Sequence, residues 1–376
     1  MIWGGRSGQN AWTDDPGRLQ KNANRGDRMS IITIIGSGMM GSAIGIPAAE
    51  NGHEVRLVGT PLDREIIEHA RQTGEHLTLK RKLPDSYKYY QFKEMEEALR
   101  GADLMVGGVS SFGIDWFCEN VLKTVDPELP ILTVTKGMQD DAEGNLHVYP
   151  EIFEQKSGCR GLKLNAVGGP CTSYELADHD DTEVTFCGKD LKLLAWIRSL
   201  FETDYYHVSI SDDVIGVEAS VAMKNAYALA VTLAVGLAER RDGKIGALHF
   251  NSQAALFGQS VKEMKKLLDY MGAREESLML GIGDLYVTVY GGRTRKIGTL
   301  LGRGMTMDQA LAELAGITLE SIVITERSAR AVQKKIEHGE LRAEDFPLLR
   351  HIYEIVVEKK PVAVPWTAFE TGTDSI

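Results

Sequence analysis

Short apolar runs alternate with longer helix-like stretches through the first half of the chain. Each run is bounded by turn residues and has the length of a buried β-strand, which predicts strands over 31–35, 54–58, 103–109, 130–135, 164–169 and 183–186. A helix is predicted over 39–50, where Asn51 and Gly52 would end it. Strands that alternate with helices favour right-handed βαβ units and a mostly parallel sheet.

The pattern changes after about residue 209. Helices are predicted over 216–240, which is rich in alanine, and over 252–271, 306–314 and 319–338, with no comparable series of strands. The chain therefore divides into an α/β unit over 29–210 and an all-α unit over 211–376. Residues 1–28 have no period and lack the apolar core of a signal peptide, so we expect a disordered leader or tag before Met29. A genuine flexible arm is the alternative.

Composition narrows the class of protein. Of 376 residues, 43% are hydrophobic and 25% charged, which is enough apolar material for a packed core. The net charge of −11 argues against a nucleic-acid partner, although a local Arg and Lys cluster could still bind a small anion. The four cysteines are far apart, which indicates neither disulfides nor a metal site. The longest apolar stretch, 226–238, is shorter than the roughly 20 residues that span a bilayer. We expect a cytoplasmic protein without stable membrane insertion.

A glycine-rich loop follows the first predicted strand. It fits G-x-G-x-x-G with Gly36, Ser37, Gly38, Met39, Met40 and Gly41, and it ends a strand and opens a helix within a βαβ unit. The glycines allow a tight turn, close approach of a pyrophosphate and close packing of helix on strand. The helix N-terminus supplies N–H groups and positive potential for phosphates. The loop predicts dinucleotide binding.

The end of the second strand bears on the choice between NAD and NADP. An NAD site usually has an acidic residue there for the ribose 2′-hydroxyl, and the strand ends in Val58, Gly59 and Thr60 instead. Thr60 and Arg64 could accommodate a 2′-phosphate, which favours NADP. A solvated Arg64 at a helix start is the alternative.

Three features of the second half are candidates for chemistry. Lys224 is surrounded by small and apolar residues, and burial there would lower its pKa toward the range of proton transfer; a lysine that reaches water is the alternative. Asp284, between glycines and an apolar run, could tune that lysine or cap a helix. Residues 291–296 place three cations beside flexible glycines, as a phosphate-binding or simply solvated basic loop.

Several blocks, in one order, resemble the NAD(P)-dependent sn-glycerol-3-phosphate dehydrogenases. The blocks are 36–41, 135–138, 168–170, 216–218 leading to 224–225, 283–285, 291–293 and 301–304. The resemblance runs from about Ile31 to beyond Leu314. It implies an N-terminal Rossmann domain with a mostly parallel sheet, an all-α C-terminal domain, and an active site between them. It also implies hydride transfer between NAD(P)H and dihydroxyacetone phosphate, giving the glycerol phosphate used for phospholipids or for redox balance.

The resemblance also assigns roles. Lys224 would be the general acid and base, Asp284 would support it, and Lys136 would contact the substrate and take part in catalysis. The residues expected to bind substrate are Lys136, Gly169, Asn225, Arg293 and Thr294. The residues expected to bind cofactor, from the loop and the resemblance together, are Gly36, Ser37, Gly38, Met39, Met40, Gly41, Thr60, Arg64, Ser110, Phe112, Lys136, Arg293 and Glu320.

Departures from the family pattern keep two other hypotheses open. Thr294 stands where the family usually has Asn, Cys171 where it often has Ser, and Gln259 where it often has Arg, while Glu320-Ser321 matches a late glutamate-glycine element only approximately. The changes at Thr294 and Cys171 motivate a same-fold dehydrogenase of another phosphorylated ketose or polyol. An idle dinucleotide-binding sensor is a third hypothesis, which retention of the lysines, Asp284 and Arg293 disfavours. The long alanine-rich helix could pack within one chain or across a homodimer.

Overall fold

The computed structural model describes residues 28–247, 249–315 and 319–369, without the side chain of Glu320. All but one residue of the predicted leader, 1–28, lie outside these ranges. The strands are β1 (Ile31–Ile35), β2 (Glu54–Val58), β3 (Tyr87–Tyr90), β4 (Leu104–Gly107), β5 (Ile131–Thr133), β6 (Met138–Asp140), β7 (Leu146–Val148), β8 (Leu164–Gly168), β9 (Thr182–Gly188) and β10 (Tyr206–Ser211).

Eight of these strands form one sheet in the order β10-β9-β8-β5-β4-β1-β2-β3. Neighbouring strands are parallel except for β8 and β9, which confirms the predicted mostly parallel sheet. From β1 the chain first builds outward to β2 and β3 and then crosses to β4 on the other side. The carboxyl end of β1 therefore lies at the switch point of the sheet, where ligands bind in folds of this kind.

The predicted strands are all present, with ends shifted by up to two residues. Strands β3 and β10 and the β6–β7 hairpin were not predicted, since each is short or rich in polar and aromatic residues. The single helix predicted over 39–50 is wrong in detail, because the structure has two helices divided at Ile44. Pro47 has no N–H to bond the carbonyl of Ala43, which interrupts the helical ladder there.

The helices are α1 (Met39–Ala43), α2 (Gly45–Glu50), α3 (Arg64–Thr73), α4 (Met95–Leu99), α5 (Ile114–Phe117), α6 (Tyr149–Ser157), α7 (Ser173–Ala177), α8 (Leu191–Phe201), α9 (Val214–Asp242), α10 (Phe250–Tyr270), α11 (Ser277–Tyr290), α12 (Gly292–Gly302), α13 (Met307–Glu313), α14 (Glu320–Glu337) and α15 (Pro347–Val356). The four helices predicted after residue 209 correspond to α9, α10, α13 and α14. Helices α11, α12 and α15 were not predicted.

Helix α9 is the centre of the helical half, and α10, α11, α12 and α14 pack around it. By length and composition it could cross a membrane, which corrects the expectation drawn from the shorter stretch 226–238. However, 83% of its most apolar window is buried inside this chain. The long apolar sequence thus serves the core, and the helix packs within one chain.

The β6–β7 hairpin belongs to the first unit by sequence but packs against the helical half. Its buried residues Met138 and Val148 belong to the apolar cluster of the helical half, together with Met223 and Leu229 of α9. The division into units over 29–210 and 211–376 remains a prediction. The hairpin links the two parts directly beside Lys136.

Candidate active site

A buried carboxylate holds two lysine ammoniums between the sheet and the helical half. Lys224 Nζ, from α9, donates to Asp284 Oδ1 on α11. Lys136 Nζ, from the segment after β5, donates to Asp284 Oδ2 at 2.7 Å. The Asp284 side chain is 1% exposed, against 15% for Lys224 and 20% for Lys136. These three residues are called the Lys-Asp-Lys cluster below.

The structure decides between the alternatives that the sequence left open for the Lys224 and Asp284 side chains. Lys224 does not reach into bulk water, since its ammonium is bonded to a buried carboxylate. Asp284 is not a helix cap, because it lies inside α11. The structure therefore places a partly buried Lys224 beside Asp284, and the catalytic roles of the two residues remain predictions.

The two ammoniums differ in electrostatic environment. Burial lowers the pKa of Lys224 to about 8; the Asp284 carboxylate opposes this shift and the Lys136 charge adds to it. Burial also disfavours the charged form of Lys136, but its charge attraction and hydrogen bond to Asp284 outweigh it and raise the pKa. Lys224 can thus exchange a proton near neutral pH while Lys136 keeps its charge.

The turn after β8 contacts the cluster. The Gly169 carbonyl oxygen accepts a hydrogen bond from Lys136 Nζ at 2.6 Å. Gly169 has φ +115°, a left-handed value that favours glycine. A Cβ at Gly283 would lie 3.3 Å from Pro170, which brings this turn against α11 beside Asp284. Burial raises the pKa of the neighbouring Cys171 to about 12, so its thiol stays neutral.

A second carboxyl group near the cluster is fully buried. Glu218 of α9 is 0% exposed, and neither of its side-chain oxygens has a hydrogen-bond partner among the described residues. Burial raises its pKa to about 8, although the Lys136 charge acts to lower it. Glu218 is therefore mostly protonated at neutral pH. The sequence analysis did not single it out.

The predicted substrate residues beyond the cluster lie at α9 and at the start of α12. Arg293 is the second residue of α12 and is exposed, so the segment 291–296 leads into a helix and is not the flexible loop expected. Thr294 is only 5% exposed, and its Oγ1 donates to Asn225 Oδ1 at 3.4 Å. Thr294 therefore contacts the predicted pocket through Asn225, the residue after Lys224.

The glycine-rich loop has the geometry of a phosphate cradle. Gly36 has φ +108°, and a Cβ there would lie 2.8 Å from the Gly108 backbone. A Cβ at Gly41 would collide with the Gly36 carbonyl, whereas one at Gly38 would meet nothing closer than 4.0 Å. The N–H groups of Met39 to Gly41 precede the first helical bond, from Ser42 N to Gly38 O. The open side at Gly38 can thus admit a pyrophosphate close to backbone N–H groups.

Two residues that the sequence analysis missed hold Ser37 in place. Asp63 Oδ2 accepts from Ser37 N at 3.2 Å and from Thr60 N at 2.8 Å. A carboxylate therefore does lie at the end of β2, although the strand itself ends without one. His76 Nε2 bonds the Ser37 carbonyl at 2.9 Å from a fully buried position. An aspartate directly before a helix could have suggested Asp63, whereas no local signal marks His76.

Of the other predicted cofactor residues, Thr60, Arg64, Ser110 and Phe112 follow the carboxyl ends of β2 and β4. Thr60 is half-buried beside Asp63, and Arg64 is the exposed first residue of α3. Ser110 and Phe112 follow β4, and Phe112 is 57% exposed. Glu320 begins α14, but its side chain lies outside the described part of the structure.

The glycine-rich loop and the Lys-Asp-Lys cluster offer two different chemistries. The loop after β1 offers free N–H groups and open backbone to a dinucleotide. The cluster offers one ammonium that can give up a proton and another that remains charged. Such a pair can protonate and stabilise an oxygen that becomes negative when a carbonyl is reduced.

Comparison with known proteins covers both halves of the chain. Residues 31–194 match the family model for the N-terminus of NAD-dependent glycerol-3-phosphate dehydrogenase, and residues 213–366 match the model for its C-terminus. The NADP(+)-dependent glycerol-3-phosphate dehydrogenase of Archaeoglobus fulgidus is 30% identical, over 87% of this chain and 95% of its own. A glycerol-3-phosphate dehydrogenase [NAD(P)+] from Shouchella clausii is 28% identical, over 87% and 92%.

Solved structures show the same fold. The crystal structure of glycerol-3-phosphate dehydrogenase from Coxiella burnetii matches with a TM-score of 0.73 and 23% identity, over 90% of this chain and 97% of its own. At that identity the likeness concerns the fold alone. It agrees with the predicted Rossmann sheet followed by a helical part.

Proposed function

The chain belongs to the NAD-dependent glycerol-3-phosphate dehydrogenase family, and on that premise we propose that it interconverts dihydroxyacetone phosphate and sn-glycerol 3-phosphate. The observation that carries the proposal is the Lys-Asp-Lys cluster, in which one buried carboxylate binds both ammoniums. The same-fold dehydrogenase of another ketose phosphate is not favoured, since the relatives compared are named for the glycerol phosphate reaction. An idle sensor would have no need of the cluster.

Lys224 is the general acid in reduction and the general base in oxidation. As the substrate carbonyl is reduced, its oxygen gains negative charge and takes a proton from Lys224 Nζ. In the reverse direction neutral Lys224 accepts the hydroxyl proton. A pKa of about 8 supports both roles near neutral pH, because proton transfer is most effective when the pKa lies close to the working pH.

Lys136 and Asp284 set the electrostatic environment of the proton that Lys224 transfers. Lys136 remains an ammonium and stabilises the developing oxyanion. Asp284 orients both lysines through separate oxygens, so that the two cations can lie close together in a buried site. The Gly169 carbonyl oxygen accepts a further hydrogen bond from Lys136 Nζ and fixes the direction of the ammonium.

Arg293 binds the substrate phosphate. Its guanidinium suits a phosphate because it can make two parallel charge-assisted hydrogen bonds. Its place at the start of α12 adds the positive end of the helix dipole. Thr294 contributes by holding the Asn225 side chain toward the substrate.

The glycine-rich loop holds NAD or NADP, the cofactors for which the relatives are named. When bound, the cofactor would give a hydride from C4 of its nicotinamide to C2 of the substrate in reduction and take it back in oxidation. Residues 36–41 bind the pyrophosphate, and Ser110 and Phe112 line the nicotinamide side. Thr60 and Arg64 favour NADP, because one offers a hydroxyl and the other a cation for a 2′-phosphate. Asp63 uses one oxygen to orient Thr60 and Ser37.

The substrate class, a small phosphorylated molecule, follows from the same site. A cytoplasmic location and a homodimer are further parts of the proposal. Sedimentation of the purified chain would test the homodimer.

The proposed function is tested by following NADPH and NADH oxidation with dihydroxyacetone phosphate, unphosphorylated dihydroxyacetone and longer ketose phosphates. Turnover confined to dihydroxyacetone phosphate is the expected result, with NADPH preferred. Activity only on a longer phosphate would favour the alternative substrate. Absence of turnover with every substrate, in a chain that binds NADPH, would support the sensor instead.

A further inference from the structure

The β6–β7 hairpin follows Lys136 almost immediately. Only Gly137 separates Lys136 from Met138, the first residue of β6. Gly137 has φ +150°, and a Cβ there would lie 2.5 Å from the Tyr149 hydroxyl, so this joint is tightly packed. A shift of the hairpin would therefore also move the backbone of Lys136.

Helix α14 binds the hairpin through one row of cations. Arg327, Arg330 and Lys334 are spaced three and four residues apart, which places them on one face of the helix. Arg327 Nη1 donates to the Met138 carbonyl at 3.4 Å, and Lys334 Nζ donates to the Ala142 carbonyl at 3.0 Å. These contacts lie at the first residue of β6 and in the turn between β6 and β7.

The central contact is a two-pronged ion pair. Arg330 Nε donates to Asp140 Oδ2 at 2.7 Å, and Arg330 Nη2 donates to Asp140 Oδ1 at 2.9 Å. The Asp140 side chain is 7% exposed, so loss of Arg330 would leave a buried carboxylate without its cation. Arg330 also bonds Glu326 one turn earlier on α14, which directs its guanidinium at the hairpin.

Lys136 needs such support because its ammonium makes two short contacts that demand an exact backbone position. It reaches the Gly169 carbonyl at 2.6 Å and Asp284 Oδ2 at 2.7 Å, on two different elements. Resting on the function proposed above, we infer that Asp140 and Arg330 are positioning residues for the reaction, which act through Lys136 by fixing the hairpin on α14. A pair that merely stabilised the fold would not act through Lys136, and this difference can be measured.

The first variants are Arg330→Met, which keeps the apolar stem without the charge, and Asp140→Asn. The matched control is Lys335→Met on the same helix: this lysine is more buried than Arg330, 7% against 39% exposed, but its ion pair is with Glu340 at 3.1 Å and not with Asp140 of the hairpin. We expect Arg330→Met to lower kcat/KM for dihydroxyacetone phosphate by about 10- to 100-fold, the range of a misplaced reacting group. Lys335→Met should retain the kcat/KM of the parent chain.

A double-mutant cycle then asks whether the effect passes through Lys136. In a Lys136→Ala background Arg330→Met should cost little more, because the group that it positions is already gone. An equal loss of kcat/KM in both backgrounds would overturn the inference, as would an equal loss in Lys335→Met. Asp140→Asn carries the same cycle if Arg330→Met does not fold.

A second readout needs no turnover. The rate at which an acylating reagent labels Lys136, followed by mass spectrometry, should rise in Arg330→Met as the ammonium leaves its two acceptors, and should stay unchanged in Lys335→Met. Unchanged labelling in Arg330→Met contradicts the positioning role even in an active enzyme. Faster labelling in a chain that turns over no substrate supports positioning and counts only against the proposed function.

Discussion

Lys224 Nζ donates a hydrogen bond to Oδ1 of Asp284, a residue 60 positions later in the chain. The pair joins the central helix α9 to α11 inside the protein, with the carboxylate almost completely buried. A buried lysine held in this way is both oriented and prepared to exchange a proton.

Lys224→Ala should therefore lower turnover by about 10²–10⁴, the usual contribution of general acid–base catalysis. NADPH binding should be nearly unchanged, because the glycine-rich loop lies on the sheet. Steady-state kinetics and a fluorescence titration would measure the two effects, with the exposed Lys192→Ala as control. Activity within a few-fold of the parent chain would show that another group transfers the proton.

The lowered pKa of Lys224 predicts opposite pH profiles for the two directions. Reduction needs the ammonium, so its kcat/KM should fall as pH rises through about 8, while that of oxidation should rise over the same range. Asp284→Asn removes the anion that favours the charged lysine, so the limb should move to lower pH. The exposed Asp181→Asn should leave it in place. If the pH dependence of kcat/KM does not shift in Asp284→Asn, Lys224 is not the group whose titration sets it.

Arg293→Ala should mainly raise KM for dihydroxyacetone phosphate, because it removes a charge-assisted contact to the phosphate. The activity on unphosphorylated dihydroxyacetone should change much less, since that substrate has no phosphate to lose. Kinetics on the two substrates would be compared with Arg198→Ala, a half-buried arginine of α8 that pairs with Glu202. An equal effect on both substrates would remove Arg293 from the phosphate site.

Glu218 predicts a pH-dependent stability. Burial raises its pKa from 4.5 to about 8, so the folded state holds this proton more tightly than the unfolded state does. The resulting stability is complete below the unfolded value and is lost as pH rises through about 8. Glu218→Gln keeps the shape without the charge, and its thermal midpoint should exceed that of the parent chain at about pH 9 but not at about pH 5. The exposed Glu183→Gln should behave like the parent at both values; a gain that is equal at both would contradict the assignment.

Two glycine substitutions in the helical half should change the free energy of unfolding in opposite directions. A Cβ at Gly298 would collide with the Thr232 hydroxyl of α9, so Gly298→Ala should lower the free energy of unfolding by about 1–3 kcal/mol. Gly258 of α10 has open space around its Cβ position, and Gly258→Ala should raise that free energy by about 0.5–1 kcal/mol. Urea unfolding would measure both, and a stable Gly298→Ala would mean that α9 and α12 can separate without cost.

The sequence by itself determined the features that depend on neighbouring residues. The β-branched run before Gly36 predicted a buried strand, and the glycine spacing after it predicted a phosphate loop, since both follow from side-chain size and backbone freedom. The alanine-rich stretch predicted α9, again because of side-chain size. The order of the motif blocks indicated the family.

Tertiary structure decided which distant residues meet. Lys136 and Asp284 are 148 positions apart, and their bond depends on how the hairpin, the sheet and α11 pack together. Strand β3, rich in tyrosine, is a strand because β2 offers it an edge, and the basic segment at Arg293 leads into a helix because α12 packs on α9. Burial of Glu218 follows from the same packing. Local patterns record the preferences of one segment, whereas contact and burial arise from the summed packing of many segments, which no single stretch of sequence contains.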